Sequence, residues 1–381
     1  MNFEFATATR IIYGAGKIHE AGKLAKGFGT RALVVLGKSA RAIQRADPLF
    51  SGLTACGVDY TTFSVGGEPT VETIMLGVRE RADLVISLGG GSVIDTGKAL
   101  AALMTNGGDV LDYLEVIGRG RPLMKPALPF IAIPTTAGTG SEVTRNAVLG
   151  SPEHRLKVSL RSTLMLPRVA LVDPELTHDL PPALTATTGL DALTQLIEAF
   201  VSVRANPMTD AVCREGMKLA ARSLRHAYEH GDDAAAREDM ALASLFSGMA
   251  LANAGLGAVH GFAAPIGGMF DAPHAAVCAA VLPHAVALNI RAARSRGSAT
   301  LQRFDEVTQI LTGDKRATTD DGVRWLRELC ATLKIPRLLC FGVSERDFDA
   351  IAERAAASSS MKGNPVVLTA NELREILAAA L

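Results

Sequence analysis

Three short apolar runs in the first half of the chain limit the folds that it can adopt. They occupy residues 32–36, 84–88 and 130–133, and each is soon followed by a turn that contains glycine or threonine. Runs of this length are typical of strands that are buried on both faces of a parallel sheet and connected by helices. We therefore predict an α/β domain in the first half of the chain.

The chain changes to a helical pattern after Pro181 and Pro182. Apolar residues then recur at three- and four-residue spacing in residues 183–203, 207–230, 233–254, 275–296, 299–312, 318–333 and 345–357. This pattern predicts an α/β domain over residues 1–180 and an all-α domain over residues 181–381. The boundary is expected in the stretch that contains Pro174 and the two later prolines, because prolines interrupt regular elements.

The composition excludes several classes of protein. Among the 381 residues, 39 Lys and Arg balance 39 Asp and Glu, so the net charge is zero and no nucleic-acid partner is expected. No uninterrupted apolar segment reaches about 18 residues, and the N-terminus does not resemble a signal peptide, so we expect no membrane association. The five cysteines are odd in number and widely scattered, which fits reduced core thiols in a cytoplasmic protein.

Small residues follow the second and third apolar runs, at the edge where a parallel sheet binds ligands. The second run leads into Gly89-Gly90-Gly91-Ser92 and a helix, where backbone N–H groups would hold a pyrophosphate, although a tight turn explains these residues equally well. The third run leads into a loop whose hydroxyls would donate to phosphate or ribose oxygens, from Thr135, Thr136 and Thr139. Together the two loops favour a nucleotide site over two solvated turns.

Four side chains in the second half of the chain form a candidate metal site. Asp191 and Gln195 are four residues apart in a helical pattern, and His260 and His274 are fourteen residues apart. A carboxylate, an amide oxygen and two imidazoles are able to surround one divalent metal. The amide of Gln195 is neutral and is the weakest of these ligands.

Several long motifs extend along the chain: Y-G-A-G, G-G-G-S-V-I-D-T-G-K, P-T-T-A-G-T-G-S-E-V-T, V-D-P-E-L, G-L-D-A-L-T-Q and V-H-G-F-A-A-P-I-G-G. Through these motifs the chain resembles the iron-dependent (group III) alcohol dehydrogenases, which are relatives of dehydroquinate synthase. The resemblance implies a dehydroquinate synthase-like fold, with an N-terminal dinucleotide-binding domain and a helical C-terminal domain. It also implies that the metal and the hydride chemistry lie in a cleft between the two domains.

The resemblance assigns roles to the residues singled out above. The turn from Gly89 to Ser92, with Gly90 and Gly91, would hold the pyrophosphate, and the three threonines would line the path to the nicotinamide. Lys157 would reach the ribose. Asp191, His260 and His274 would bind the metal, and the two histidines would thereby be catalytic residues.

The chain departs from the family pattern at three positions. Gln195 stands where the family usually has histidine, so a weaker fourth ligand or a water molecule is expected there. Ala264 stands where a histidine is frequent near the reacting centre, so a proton relay through that side chain is absent. Gly37 and Lys38 stand where many NAD-using members have an aspartate that repels a 2′-phosphate. We therefore expect NADP to be accepted as well as NAD.

The resemblance implies an NAD(P)-dependent, metal-assisted alcohol dehydrogenase or aldehyde reductase. Its cofactors would be NAD or NADP and a divalent metal, Fe²⁺ before Zn²⁺. A small alcohol or aldehyde would be the substrate, and a cytoplasmic homodimer would be the assembly. Three alternatives remain: a maleylacetate reductase that works without metal, a dehydroquinate synthase-like lyase, and a nucleotide-binding protein without activity.

Overall fold

The computed structural model describes residues 2–154 and 156–381. The chain forms two compact units. The first unit comprises Ala6–His178, and the second comprises Asp179–Leu381 together with the N-terminal residues up to Phe5. The first unit is an α/β structure and the second is helical.

The first unit is built on a six-stranded parallel sheet and a two-stranded antiparallel sheet. The strands are β1 (Arg10–Tyr13), β2 (Arg31–Gly37), β3 (Asp59–Val65), β4 (Leu84–Gly89), β5 (Phe130–Pro134), β6 (Asn146–Ser151), β7 (Leu156–Arg161) and β8 (Val169–Val172). The order in the large sheet is β1-β8-β5-β4-β2-β3, and β6 pairs with β7. Strands β2, β4 and β5 contain the three apolar runs, which confirms the α/β prediction.

Helices cover both faces of the large sheet. They are α1 (Ala21–Lys26), α2 (Ala40–Arg45), α3 (Asp47–Ala55), α4 (Val71–Gly77) and α5 (Gly91–Asn106). Val35 of β2 packs in one buried cluster with Leu100 of α5, while its neighbour Val34 packs in a second buried cluster with Leu49 of α3. Because successive residues of a strand face opposite sides, both faces of β2 must be apolar, and this explains the continuous apolar run.

The second unit consists of helices. They are α6 (Pro182–Val201), α7 (Pro207–Glu229), α8 (Ala234–Ala254), α9 (Ala258–Phe270), α10 (His274–Ser295), α11 (Leu301–Thr312), α12 (Thr319–Thr332), α13 (Phe348–Ala357) and α14 (Ala370–Ala380). The predicted helical segments are confirmed, and α9 and α14 are additional. Helix α9 contains Gly261 and Pro265, which weaken a helical pattern, and it forms because burial of its other residues outweighs these preferences.

Helix α10 is a buried core helix. Its length and apolar composition would suffice to cross a membrane, but 78% of its most apolar window is buried inside the protein. Burial of this extent is expected for the central helix of a globular unit.

A buried lysine connects α5 to the loop after β5. The ammonium of Lys98 donates to the carbonyl oxygen of Ser141 at 3.0 Å and to Oγ1 of Thr144 at 2.8 Å, and its side chain is fully buried. It also donates to the carbonyl oxygen of Asn146 and lies 3.1 Å from Oδ1 of Asp95. Asp95 in turn accepts from Oγ of Ser141. These bonds fix the end of the threonine-rich loop against α5.

Glu142 lies in the same loop and is buried. Burial raises the pKa of Glu142 to about 7, although a hydrogen bond with its own backbone and the charge of Lys98 lower it in part. Burial also lowers the pKa of Lys98, with Asp95 and Glu142 opposing that shift. Between pH 4.5 and about 7 the folded protein therefore holds a proton on Glu142 that an exposed glutamate would release.

This proton makes the stability of the first unit pH-dependent. The contribution of the Glu142 proton to the free energy of unfolding is fully present below pH 4.5, the ordinary pKa of the side chain. This contribution is lost as the pH rises through about 7. In Glu142→Gln the side chain cannot ionise, so the variant lacks this pH dependence. We expect the difference in the free energy of unfolding, variant minus wild type, to be larger at pH 8 than at pH 5 by on the order of 2 kcal/mol. Urea unfolding at both pH values measures this gain. The exposed Glu80→Gln variant is the control, and an equal gain in both variants would contradict the assignment.

Candidate metal and dinucleotide sites

Three helices of the second unit bring four potential metal ligands together. Asp191 lies in the middle of α6, His260 lies in α9, and His274 is the first residue of α10, with Cys278 four residues further along that helix. The ligand atoms of these four side chains all lie within 4.8 Å of one another. Nε2 of His260 is 3.3 Å from Oδ1 of Asp191, and Nε2 of His274 is 3.8 Å from the same oxygen.

Glu198 orients the imidazole of His260. It lies two turns after Asp191 on α6, and its Oε2 is 2.7 Å from Nδ1 of His260. Its Oε1 accepts from the backbone N–H of Val259 at 2.6 Å, which anchors the first turn of α9. With Nδ1 held by Glu198, Nε2 is the ring nitrogen that faces Asp191. A histidine that binds a metal is commonly oriented by a carboxylate in this way.

The buried polar atoms at this site fit a divalent cation. Both carboxylate oxygens of Asp191 and Nε2 of His260 lack a hydrogen-bond partner among the described residues, and their 3.3 Å contact does not have hydrogen-bond geometry. Asp191 is completely buried and His260 is 5% exposed. Unpaired buried groups of this kind destabilise a fold by several kcal/mol unless an ion or proton compensates them. One cation would satisfy all three atoms.

The side chains of the cluster shift one another's pKa values. Burial opposes the charged form of His260, but Cys278, Asp191 and Glu198 together raise its pKa well above the ordinary value. Desolvation likewise opposes the charge on His274, and Cys278 followed by Asp191 raises its pKa to about 9. Burial alone would raise the pKa of Asp191, yet the two imidazoles hold it below its usual range. The site therefore attracts positive charge, which it takes up as protons when no metal competes.

Gln195 lies one turn after Asp191 on α6 and is 3% exposed. Its Oε1 is 2.7 Å from the hydroxyl of Ser247 on α8, in a hydrogen bond. The amide of Gln195, the fourth predicted ligand, thus already has a hydrogen-bond partner within the protein.

Cys278 is the ligand candidate that the sequence analysis missed. Its four-residue spacing from His274 was visible in the sequence, but the approach of α6 to this face of α10 was not. The prediction that the cysteines are core thiols is wrong for Cys340, which is exposed. All five cysteines are free of disulfide bonds. Glu198 was missed as well, because its role depends on the approach of α9.

In the first unit, the two predicted nucleotide loops lie against each other. Thr135 donates its backbone N–H to the carbonyl of Gly89 at 3.0 Å. A Cβ atom on Gly90 would lie 3.3 Å from Thr136, and one on Gly91 would lie 2.8 Å from Thr139. A side chain on Gly91 would therefore force Thr139 to shift, whereas one on Gly90 would need only a small adjustment. Gly91 begins α5, whose first N–H groups have no acceptor within the helix.

The other predicted cofactor residues lie at strand ends and in the small sheet. Gly37 ends β2, and the side chain of the exposed Lys38 lies over Gly66. Lys157 in β7 forms an ion pair with Glu68 at 2.7 Å and is 9% exposed, so its charge is already compensated.

Comparisons with known proteins agree over both units. The family described as iron-containing alcohol dehydrogenase matches residues 8–174, and the C-terminal part of the Fe-containing alcohol dehydrogenase family matches residues 185–381. Alcohol dehydrogenase 4 of Saccharomyces cerevisiae (strain YJM789) is 35% identical over 375 residues, which are 97% of this chain and 96% of the yeast protein. The NAD-dependent methanol dehydrogenase of Bacillus methanolicus is 33% identical over 377 residues, 97% of each chain.

A solved structure gives the same result. The crystal structure of a 1,3-propanediol oxidoreductase superimposes with a TM-score of 0.93 and 32% sequence identity, and the match covers 100% of both chains. With the family matches on both units, this likeness leads to one conclusion: the chain belongs to the iron-containing alcohol dehydrogenase family and is an oxidoreductase that acts on alcohols and aldehydes.

Proposed function

We propose that this alcohol dehydrogenase transfers hydride between NAD or NADP and a small alcohol or aldehyde with the help of a metal held by Asp191, His260 and His274. The observation that carries the proposal is the set of buried ligand atoms on Asp191 and His260 that have no hydrogen-bond partner within residues 2–154 and 156–381. A divalent metal, when bound, supplies stabilisation of the negative charge that develops on a substrate oxygen. Iron is favoured by the family, and zinc also suits such ligands.

The residues around the metal have separate tasks in this proposal. Asp191 contributes the negative charge, and Glu198 holds the ring of His260 through Nδ1, so that Nε2 is the nitrogen that would bind the metal in place of a proton. The side chain of His274 is 36% exposed, so it marks the side of the cluster that a substrate would approach. The almost complete burial of Asp191 and His260 excludes water from the opposite side, which strengthens the electrostatic interactions there.

The dinucleotide is proposed to bind at the first unit. A nicotinamide cofactor supplies the hydride donor or acceptor. The first N–H groups of α5, at Gly91 and Ser92, would donate to the pyrophosphate, and the hydroxyls of Thr136 and Thr139 would face the same ligand. The named NAD dependence of the methanol dehydrogenase relative supports NAD as a cofactor. The absence of an acidic side chain at Gly37 supports additional use of NADP.

The alternatives have less support. A metal-independent maleylacetate reductase would not require buried, unpaired ligand atoms, so the cluster supports the metal-assisted reaction. We also propose that the protein is a cytoplasmic homodimer, as the resemblance implies, and five free cysteines fit a reducing compartment. Light scattering of the purified protein would measure the mass of the assembly.

The metal ligands are tested by Asp191→Asn, which keeps the shape of the side chain and removes its charge. We expect the purified variant to lose nearly all its metal, because a neutral amide replaces the anionic ligand. Metal content and aldehyde reduction are measured together, with the exposed Asp232→Asn variant as the control. Full activity of the wild type after complete chelation would overturn the metal-assisted mechanism.

The pyrophosphate site is tested by Gly91→Ala. The added methyl group would lie 2.8 Å from Cγ2 of Thr139, which is too close, so the loop must move away. Overpacking of this kind costs about 1–3 kcal/mol, and we expect NADH to bind about tenfold more weakly. The control is Gly52→Ala, where the new methyl group has ordinary contacts of 3.5 Å. Unchanged NADH affinity in a correctly folded Gly91→Ala protein would remove this residue from the cofactor site.

Cofactor choice is tested by Gly37→Asp. The new carboxylate would repel a 2′-phosphate, so we expect NADPH use to fall about tenfold while NADH use is largely retained. Gly37→Asn is the matched control, since it adds the same volume without charge beside Ala42. Steady-state kinetics with both cofactors measure the ratio, and an equal loss with NADH and NADPH would contradict the role of this position.

A further inference from the structure

We infer that the thiolate of Cys278 is the fourth protein ligand of the metal, in the place that the sequence analysis gave to the amide of Gln195. This inference rests on the metal site of the proposed function and changes its ligand set to one carboxylate, two imidazoles and one thiolate. It also concerns a residue for which the family pattern predicts no role.

The first argument is the position of Cys278 on α10. It lies four residues after His274, so both side chains are on the same face of the helix. Its Sγ is 3.7 Å from Nε2 of His274, and it is completely buried. The described residues contain one group of three or more His, Cys, Asp or Glu side chains close enough to share an ion, and Cys278 belongs to it.

The second argument compares the observed separations with those of a tetrahedral site. Bonds of about 2.0–2.1 Å to nitrogen and oxygen and about 2.3 Å to sulfur require ligand separations of roughly 3.3 Å for N–O pairs and 3.6 Å for N–S pairs. The separation of His260 Nε2 from Asp191 Oδ1 is 3.3 Å, and that of His274 Nε2 from Cys278 Sγ is 3.7 Å. The third separation, 3.8 Å between Nε2 of His274 and Oδ1 of Asp191, is about 0.5 Å too long, so a small inward movement of His274 would complete the site.

The third argument concerns the competing ligand. Oε1 of Gln195 is engaged by Ser247 at 2.7 Å, whereas both oxygens of Asp191 and Nε2 of His260 have no hydrogen-bond partner among the described residues. A set completed by Cys278 replaces the hydrogen bond between its Sγ and Nε2 of His274 with two bonds to the metal. It requires the loss of one thiol proton, which is released to solvent when the metal binds.

The thiolate changes which metals the site prefers. Thiolates are soft ligands that favour zinc, whereas carboxylate and imidazole alone also suit ferrous iron. We therefore expect Zn²⁺ to be retained more strongly than Fe²⁺ by the wild type, and this preference to decrease in Cys278→Ser.

Cobalt substitution tests the inference directly. Co²⁺ bound to a thiolate gives an intense charge-transfer absorption in the near ultraviolet, and oxygen and nitrogen ligands alone do not. We expect this band in the wild-type protein loaded with one Co²⁺ per chain, and its loss in Cys278→Ser. Metal affinity in that variant should fall on the order of tenfold or more, as for other changes at metal centres.

Two further variants serve as controls. Cys213→Ser changes another buried cysteine, which lies in α7, and should keep both the band and the metal. Gln195→Leu keeps a similar volume without a ligand atom and should also keep both. A wild type that binds one Co²⁺ without the band, or a Gln195→Leu variant that loses the metal while Cys278→Ser retains it, would overturn the inference and leave the metal-assisted function intact. A wild type that binds no metal would overturn both. If a variant fails to fold, the wild-type spectrum alone still shows whether a thiolate binds the Co²⁺.

Discussion

The helical unit depends on a buried carboxylate whose oxygens have no hydrogen-bond partner among the described residues. Asp191 is enclosed in the middle of α6, and the atoms that face it come from α9 and α10. A lone ionised group in such a position costs several kcal/mol, so the fold must bring positive charge to it. The raised pKa values of His260 and His274 are the response of the metal-free protein. Because a metal would bind the folded chain and not the unfolded one, its binding would also stabilise this unit.

The first unit is organised by steric contacts. A Cβ atom on Gly97 would lie 2.0 Å from Oγ of Ser87 and 2.7 Å from Phe130, so α5 packs directly on β4 and β5. Asp95 and Lys98 then bind the loop that follows β5. In the motif G-G-G-S-V-I-D-T-G-K, the later residues Asp95, Gly97 and Lys98 therefore hold the helix and the loop together. Much of this motif therefore serves the packing of α5 against its neighbours.

The sequence was sufficient where local pattern determines structure. The runs that form β2, β4 and β5 and most helices of the second unit were predictable, since burial on one or two faces imposes a period. Helix α9 was not, because its glycines and Pro265 conceal the pattern. The ion pair of Lys157 with Glu68 joins residues 89 positions apart, and no local pattern indicates it. The candidate ligands Asp191, His260 and His274 were selected by residue type and spacing, and the resemblance then gave them their role. Cys278 was missed because neither argument singles it out.

A thiolate beside the carboxylate bears on the chemistry as well as on metal retention. Two anionic ligands reduce the residual positive charge of the metal, and this weakens its attraction for a substrate oxygen. The reduction is compatible with alcohol oxidation, because a Cys₂His ligand set with two thiolates serves catalytic zinc in other alcohol dehydrogenases. Asp191 and Cys278 together would supply the same two negative charges, and His260 and His274 would supply neutral ligands. A substrate oxygen would approach on the side where His274 is exposed, and the metal held by these four side chains would supply the positive charge that attracts it.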